Sequence, residues 1–307
     1  MNNLICIAGP TASGKTALSI ALAKELNAEI VSCDSMQVYK RMDIGTAKPT
    51  LEERQGIVHH MLDVAEPDED FSVSRYCAMA APIIDNIHAK GKTAIVVGGT
   101  GLYMDSLIKG NDFAPFPSTG MREKLESQSI EDVYAQLKSI DPEAASRLHL
   151  ADRKRIIRAM EVYLETGKTI TEHNRRTQAI PPKYTPVWLA LEDEDRQDLY
   201  HRIDRRVDIM LEQGLIDEIN GLLASGIPAK CTAMQAIGYK EFIAALDGLI
   251  SIQEAAAQVQ QSSRHYAKRQ LTWFRRNPNI HWLRRSKTMG TEEILRLARQ
   301  VLQETDN

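Results

Sequence analysis

The chain has 307 residues, 43% of them hydrophobic and 26% charged, a globular composition with room for one large domain or a core plus a smaller module. Its net charge of −3 does not argue for a nucleic-acid partner, and its four separated cysteines indicate neither a zinc ribbon nor a disulfide framework. No apolar run approaches the ~18 residues that span a bilayer, and the start does not read as a signal peptide. We expect a cytoplasmic monomer with no membrane contact.

Strands and helices alternate over the first 110 residues. Short apolar runs predict strands at 4–8, 28–34 and 93–97. Spacing and capping residues predict helices at 15–26, at 72–91 and from 101 onwards. This alternation predicts an α/β fold with a parallel sheet covered by helices on both faces.

The composition changes after Lys109. Residues 110–120 are rich in Gly, Pro and Ser and are typical of a linker, and helical patterns follow from 121 to about 178. Strands are predicted again at 187–192 and 279–284, with helices between and after them. We therefore predict a core formed by 1–110 and 186–307, interrupted by an all-α insertion domain at 111–185.

The turn after the first strand matches the pattern G-x-x-x-x-G-K-[ST]. It consists of Gly9, Pro10, Thr11, Ala12, Ser13, Gly14, Lys15 and Thr16. Glycines allow backbone N–H groups to surround phosphate oxygens, and the following helix adds positive potential. Lys15 supplies a charge for the terminal phosphates and Thr16 a hydroxyl ligand for Mg²⁺. This P-loop, between a strand and a helix, makes the predicted core P-loop NTPase-like.

The motif indicates a di- or triphosphate without identifying it. The strand at 93–97 ends in Gly98-Gly99-Thr100 and lacks the acid that ATPases place there, whereas Asp34 follows the neighbouring strand. Asp34 is favoured as a functional acid over an N-cap residue or a solvated loop acid. For Thr100, a functional role and a cap of the helix that begins at Gly101 are equally favoured. The adjacent pair His59-His60 would point to opposite faces of a strand, which disfavours a metal site.

Seven segments occur here in one order: GPTASGKT, SCDSMQVYKRMDIGTAKP, HHMLDV, VVGGTGLY, RIIRAMEVYLETGK, AIGYKE and AKRQLTWFRR. These segments are distributed over nearly the whole chain. In this combination the chain resembles the bacterial tRNA dimethylallyltransferases, also called isopentenyl-diphosphate:tRNA transferases. The resemblance implies transfer of a dimethylallyl group from dimethylallyl diphosphate to the N6 amine of the adenosine beside the anticodon, with Mg²⁺ as cofactor.

The resemblance also implies roles for individual residues. Asp34 matches the general base, and Lys15 and Thr100 complete the expected catalytic set. The diphosphate is expected on Gly9 to Thr16 together with Arg202. Contacts with the tRNA anticodon stem-loop are implied for Asp34, Ser35, Met36, Gln37, Thr100, Arg122, Lys154, Arg155, Ile156, Ile157, Arg158, Gln235, Ala236, Ile237, Gly238, Tyr239 and Lys240.

Local charge supports an RNA partner where bulk charge does not. Residues 255–287 contain no Asp or Glu but eight Lys or Arg, interleaved with four aromatic residues. This pattern suits phosphate contacts and base stacking, although we expect most of the aromatics in the core. Two alternatives share the cradle: a small-molecule or nucleoside kinase, which would consume ATP, and an RNA-binding nucleotide switch, which would not need Asp34 for catalysis.

Overall fold

The computed structural model describes residues 4–111 and 120–306, so residues 112–119 of the predicted linker lie outside the described residues. Within this part of the chain, one parallel sheet contains six strands in the order β3-β2-β4-β1-β5-β6. The strands are β1 (Leu4–Ala8), β2 (Ala28–Ser32), β3 (His59–His60), β4 (Thr93–Val97), β5 (Val187–Asp193) and β6 (Ile280–Arg285). β1 and β2 are buried along their whole length. β1 is accordingly a continuous apolar run, whereas β2 also contains Glu29 and Ser32.

Helices connect and cover these strands. In chain order they are α1 (Lys15–Glu25), α2 (Val73–Ala89), α3 (Gly101–Lys109), α4 (Met121–Glu126), α5 (Ile130–Ile140), α6 (Pro142–Arg147), α7 (Arg153–Thr166), α8 (Ile170–Ala179), α9 (Arg196–Glu212), α10 (Leu215–Ala224), α11 (Lys240–Leu246), α12 (Ile252–Phe274) and α13 (Thr291–Asp306). The predicted cap at Ser72 is confirmed, since its hydroxyl accepts from the Arg75 N–H at 3.2 Å. Pro82 lies within α2, which continues through it.

The chain divides into two compact units. One contains the residues up to Gly110 and from Lys183 onwards, and the other runs from Asn111 to Pro182. The sequence placed the end of the insertion at residue 185, three residues later. The difference arises because Lys183 and Tyr184 donate their N–H groups to the carbonyls of Lys109 and Ile108, at 3.2 and 3.1 Å. These long-range hydrogen bonds have no signal in the local sequence.

The first unit has its main apolar core on one face of the sheet. α1 contributes Leu18 and Leu22 there, and α13 contributes Ile294 and Leu295. α2 packs against β2 and β4, and the Tyr76 hydroxyl donates to the Ser32 carbonyl at 2.9 Å. This packing fixes the carboxyl ends of β1, β2 and β4, where the cradle, Asp34 and the Gly98-Gly99 turn follow.

All regular secondary structure in the described residues of the second unit is helical. Its core includes Leu125 from α4, Val133 and Leu137 from α5, and Ile156 and Met160 from α7. Asp141 stabilises the start of α6, because it accepts from the Ala144 N–H and also from the Thr171 hydroxyl, at 3.0 and 2.7 Å. No helix among the described residues is long and apolar enough to cross a membrane.

Glu29 forms a buried charged cluster at the opposite end of the sheet from the cradle. Its carboxylate interacts with the His60 imidazole at 2.8 Å and with the Lys92 ammonium at 2.9 Å. The hydrogen bond with His60, followed by that with Lys92, lowers the pKa of Glu29, while burial opposes the shift. His60 therefore serves a structural ion pair at a sheet edge.

Replacing Glu29 with glutamine is expected to lower the free energy of unfolding by about 2 kcal/mol at neutral pH, because a buried charged acceptor is lost. Since the folded-state pKa is depressed, this contribution is present above the unfolded-state pKa of about 4.3 and disappears as pH falls through the folded-state value. Urea unfolding at pH 7 and pH 3 measures it. The exposed-acid variant E52Q is the control, and a wild-type–E29Q difference that does not shrink in acid would contradict the prediction.

Candidate active site

The loop between β1 and α1 has the backbone conformation that an anion cradle requires. Gly9, Ala12 and Gly14 have φ angles of 139°, 60° and 94°. A Cβ at Gly9 would lie 3.0 Å from the Leu191 carbonyl oxygen, so this position needs glycine for space as well as for φ. α1 begins directly after the loop with no acid in its first turn and no side-chain cap. Its N-terminus therefore favours a negative ligand.

Lys15 lies where a ligand phosphate would meet it. Its ammonium donates to the Pro10 carbonyl at 2.6 Å, across the loop. Burial, followed by the positive charge of Arg206, lowers the pKa of Lys15 to about 7, while the charge of Asp34 opposes the shift. The basic side chains of Lys15 and Arg206 thus share one site. A bound anion would relieve their repulsion and favour the charged form of Lys15.

Two adjoining cavities open beside the cradle, with volumes of about 650 and 320 Å³. The larger is lined by the cradle residues 11–16, by Gly98 and Gly99 and by Gln270. The smaller is lined by Ser35, Met36 and residues 235–238, and its surface is mostly apolar. Thr11, Asp34, Thr46, Ala47, Arg206 and Tyr266 line both. The predicted phosphate cradle and the predicted acid therefore face one continuous space.

Asp34 is held by its own turn. Its Oδ1 accepts from the Met36 and Gln37 N–H groups at 2.8 and 3.3 Å, which fixes the side chain against the loop that follows β2. Within the described parts of the chain, no group donates to Oδ2. Burial and the charge of Asp34 raise the pKa of the nearby Tyr266 hydroxyl to about 12, which keeps that hydroxyl protonated. Asp34 is thus oriented and has a free oxygen.

Thr100 joins the turn after β4 to the loop that carries Asp34. Its hydroxyl accepts from the Ser35 N–H at 3.1 Å and lies 3.4 Å from the Ser35 hydroxyl. It is the N-cap residue of α3, but its side chain makes no capping hydrogen bond. The side chain therefore positions the acid loop instead of capping the helix.

Gln270 of α12 fixes the distance between the cradle and the glycine turn. Its Oε1 accepts from the Thr11 N–H and its Nε2 donates to the Gly99 carbonyl, both at 2.9 Å. A Cβ on Gly99 would lie 2.0 Å from that amide nitrogen, so the contact also requires glycine. The sequence reasoning did not select Gln270, because no local pattern indicates a contact across 259 residues.

Two arginines of α9 lie one turn apart near the cradle. Arg202, the predicted diphosphate ligand, donates to the Ala12 carbonyl at 2.9 Å and pairs with Asp193 at 2.5 Å. Arg206 lines both cavities and has no hydrogen bond or ion pair within 4–111 and 120–306. Burial lowers its pKa. The sequence reasoning did not select Arg206, although its spacing of four from Arg202 places both on one helical face.

The comparisons with known proteins agree with this site. The family model described as IPP transferase matches residues 37–277. A tRNA dimethylallyltransferase of Acetivibrio thermocellus is 45% identical over 301 residues, covering 96% of each chain. The chain belongs to the tRNA dimethylallyltransferase family. Its resemblance to that family, first inferred from seven short segments, is confirmed.

Solved structures of this family have the same fold. The full-length tRNA isopentenylpyrophosphate transferase of Bacillus halodurans is 40% identical, with a TM-score of 0.74 and coverage of 100% of this chain and 98% of that one. A eukaryotic dimethylallyltransferase described as acting on tRNA is 31% identical, with a TM-score of 0.85 over 99% of this chain and 80% of that one. The predicted α/β, P-loop-like fold is confirmed.

The implied tRNA-contact residues of the insertion form two groups, one exposed at the surface and one buried. Lys154, Arg155 and Arg158 of α7 present charged groups at the surface, whereas Ile156 and Ile157 are buried in the core of that unit. The implied tRNA contacts of the two isoleucines stay predictions, and the burial of both residues shows that their side chains take part in the packing of this unit. Arg122 and Arg158 both bind Glu161, at 3.0 and 2.7 Å.

The segment 235–240 is divided in the same way. Gln235, Ala236, Ile237 and Gly238 line the smaller cavity. Lys240 is exposed, but Tyr239 is fully buried and its hydroxyl donates to Glu218 at 2.6 Å. The implied contact of Tyr239 with tRNA stays a prediction, and its hydroxyl already has a partner in Glu218.

Part of the C-terminal basic stretch is neutralised within the protein. Arg264 pairs with Asp204, and Arg275 pairs with Glu192. Arg276 lies over the Trp273 ring at 3.9 Å. Lys268, Arg269 and Arg284 are exposed. These three remain accessible to phosphate groups, and the paired arginines are the weaker candidates.

Proposed function

We propose that this protein transfers the dimethylallyl group of dimethylallyl diphosphate to the exocyclic N6 amine of the adenosine adjacent to the anticodon in tRNA, giving N6-isopentenyladenosine. The observation that carries the proposal is the shared space between the phosphate cradle and Asp34. Membership of the family supplies the chemical class of both substrates.

The reaction forms one bond and breaks one bond. The N6 nitrogen attacks the allylic carbon, the bond from that carbon to the diphosphate oxygen breaks, and diphosphate leaves with the electron pair. N6 is a weak nucleophile because its lone pair is delocalised, so its proton must be removed as it attacks. Asp34 Oδ2 accepts this proton. General-base assistance of this kind contributes about 10²–10⁴-fold.

The cradle stabilises the leaving group. Backbone N–H groups of residues 12–16, the Lys15 ammonium and the Arg206 guanidinium meet the charge that grows on the diphosphate. Thr16 also fits a magnesium site of the P-loop kind, because its hydroxyl lines the cavity and Mg²⁺ takes few protein ligands beside phosphate oxygens. Mg²⁺ bound there would neutralise phosphate charge. The described residues contain no cluster of three or more His, Cys, Asp or Glu that could hold a metal alone.

The acceptor base enters the smaller cavity. Its mostly apolar surface suits the faces of a nucleobase that has left its stack, at a cost of a few kcal/mol. Bases in single-stranded loops leave most easily, which agrees with an anticodon-loop target. The exposed basic residues of α7 and α12 are the proposed contacts for the tRNA backbone.

The function is tested by incubating the protein with dimethylallyl diphosphate, Mg²⁺ and an unmodified tRNA, followed by mass analysis of the digested RNA. We expect one adenosine to gain a single five-carbon group, with no gain when the adenosine beside the anticodon is replaced. ATP in place of the donor is the control for a kinase. Donor binding without any modified adenosine would contradict the proposal.

Arg206 is expected to contribute more to donor binding than its neighbours on α9. The R206Q variant should raise the KM for dimethylallyl diphosphate by roughly 10- to 100-fold, because a charge-assisted contact with phosphate is lost inside a cavity. R196Q removes the same charge from an exposed position of the same helix and serves as the control. Steady-state kinetics with varied donor measure the effect. Equal donor KM values for the two variants would exclude Arg206 from the diphosphate site.

A further inference from the structure

Glu218 of α10 lies outside both cavities, yet its carboxylate collects four hydrogen bonds. Oε2 accepts from the N–H groups of Asp43 and Ile44, at 2.8 and 2.7 Å. Oε1 accepts from the Gly45 N–H at 3.1 Å and from the Tyr239 hydroxyl at 2.6 Å. Three consecutive backbone donors on one carboxylate form a nest that fixes the path of the loop 43–47.

The loop 43–47 is a wall of the acceptor cavity. Thr46 and Ala47 line it, and their carbonyls accept from the Gln37 side-chain amide at 3.2 and 3.1 Å. The Gln37 N–H in turn donates to Asp34 Oδ1. Contacts therefore run without a break from Glu218 through the loop and Gln37 to the proposed general base.

Glu218 also contacts a second segment of the cavity lining. Its partner Tyr239 directly follows residues 235–238, which line the same cavity. The Tyr239 ring packs on Gly45 so closely that a Cβ there would lie 2.5 Å from the ring. One carboxylate thus joins two walls that come from distant parts of the chain.

The loop needs such a support. Arg41 and Ala47, on either side of the nest, have φ angles of 61° and 49°, a conformation that residues with a Cβ rarely adopt. Arg41 also donates to Ser225 at the end of α10, at 2.9 Å. α10 therefore holds a conformation that the loop would not keep unaided.

We propose that Glu218 is a positioning residue for the acceptor nucleobase: it sets the width of the base cavity and, through Gln37, the orientation of Asp34. This rests on the proposed function. Thr46 and Ala47 also border the larger cavity, but the hydrogen bonds of Glu218 do not reach the cradle residues 9–16, whose loop is held by Gln270. We therefore expect Glu218 to act mainly on the acceptor and to change donor binding little.

The test compares E218Q with D217N by steady-state kinetics with varied tRNA and varied donor. Both changes remove one acid from the first turn of α10, but Asp217 is exposed and does not contact the loop. In E218Q the carboxylate that accepts three backbone N–H groups is replaced by an amide, whose own NH2 group would face those donors. We expect kcat/KM for tRNA to fall roughly 10- to 100-fold in E218Q, since small displacements at a reacting centre have effects of this size. The donor KM should stay within twofold, and D217N should match the wild type.

Thermal melts of the same variants separate positioning from stability. An E218Q protein with a lowered Tm but unchanged kinetic constants well below that Tm would overturn the proposal, as would an equal loss for donor and tRNA. If E218Q does not fold, the Y239F variant provides the test, because it keeps the ring on Gly45 and removes one of the four hydrogen bonds to Glu218. We then expect a smaller loss of kcat/KM that is confined to tRNA. Unchanged kinetic constants would overturn the proposal. An inactive wild type would instead refute the proposed transferase function.

Discussion

Asp34→Asn is expected to lower turnover by roughly 10²–10⁴-fold while the affinities for donor and tRNA stay within a few-fold of wild type. The asparagine carbonyl can still accept from the Met36 and Gln37 N–H groups, so the turn that carries the side chain is preserved. What is lost is a group that can take the N6 proton. Single-turnover kinetics at saturating donor and tRNA measure the chemical step directly.

The control for this variant is D68N, which removes an equally charged but exposed acid from the same unit. D68N should keep wild-type turnover. A D34N protein that retained more than about a tenth of wild-type turnover would remove Asp34 from the proton transfer. Its role would then be limited to the shape of the loop.

Lys15→Met is expected to lower kcat/KM for dimethylallyl diphosphate by roughly 10²–10³-fold, the usual effect of removing one stabilising group from a developing anion. Methionine has a similar length, so the volume beside Pro10 stays filled while the charge and the donor are lost. The contact with Pro10 holds the ammonium over the loop, in the position that a terminal phosphate would reach. Kinetics with varied donor at saturating tRNA give the value.

The matched control is K90M, since the Lys90 side chain is about half exposed and lies on the Glu29 cluster away from the cradle. tRNA binding, followed by filter retention or anisotropy, should be the same in both variants and in the wild type. A loss of tRNA affinity in K15M equal to its loss of donor affinity would contradict the assignment of this lysine to the diphosphate.

Local sequence patterns were sufficient to predict most of the strands and helices. β1, β2, β4 and β5 are largely buried strands that contain short apolar runs, and the cap at Ser72 has a one-residue signature. The strand β3 was not predicted, because two residues cannot show an alternation. Its place at the sheet edge depends on pairing with β2, a contact between residues about thirty positions apart.

The site residues that are neighbours in the sequence could be predicted from it. The site residues that act through tertiary contacts could not. The cradle carries its function in eight consecutive residues, and Asp34 directly follows a strand. Gln270 and Glu218 act through partners 259 and 173–175 residues away, so no spacing rule could select them. Ile156 and Ile157 were implied as tRNA contacts by resemblance alone, whereas the helical periodicity of α7 would have placed them in the core.

The most direct test of the account is a crystal structure with an unreactive thio-analogue of the donor and an anticodon stem-loop. We expect the diphosphate on the N–H groups of residues 12–16 and the N6 amine within about 2.6–3.2 Å of Asp34 Oδ2. A diphosphate bound elsewhere, or an N6 amine beyond hydrogen-bond reach of Asp34 with the allylic carbon in place, would contradict it.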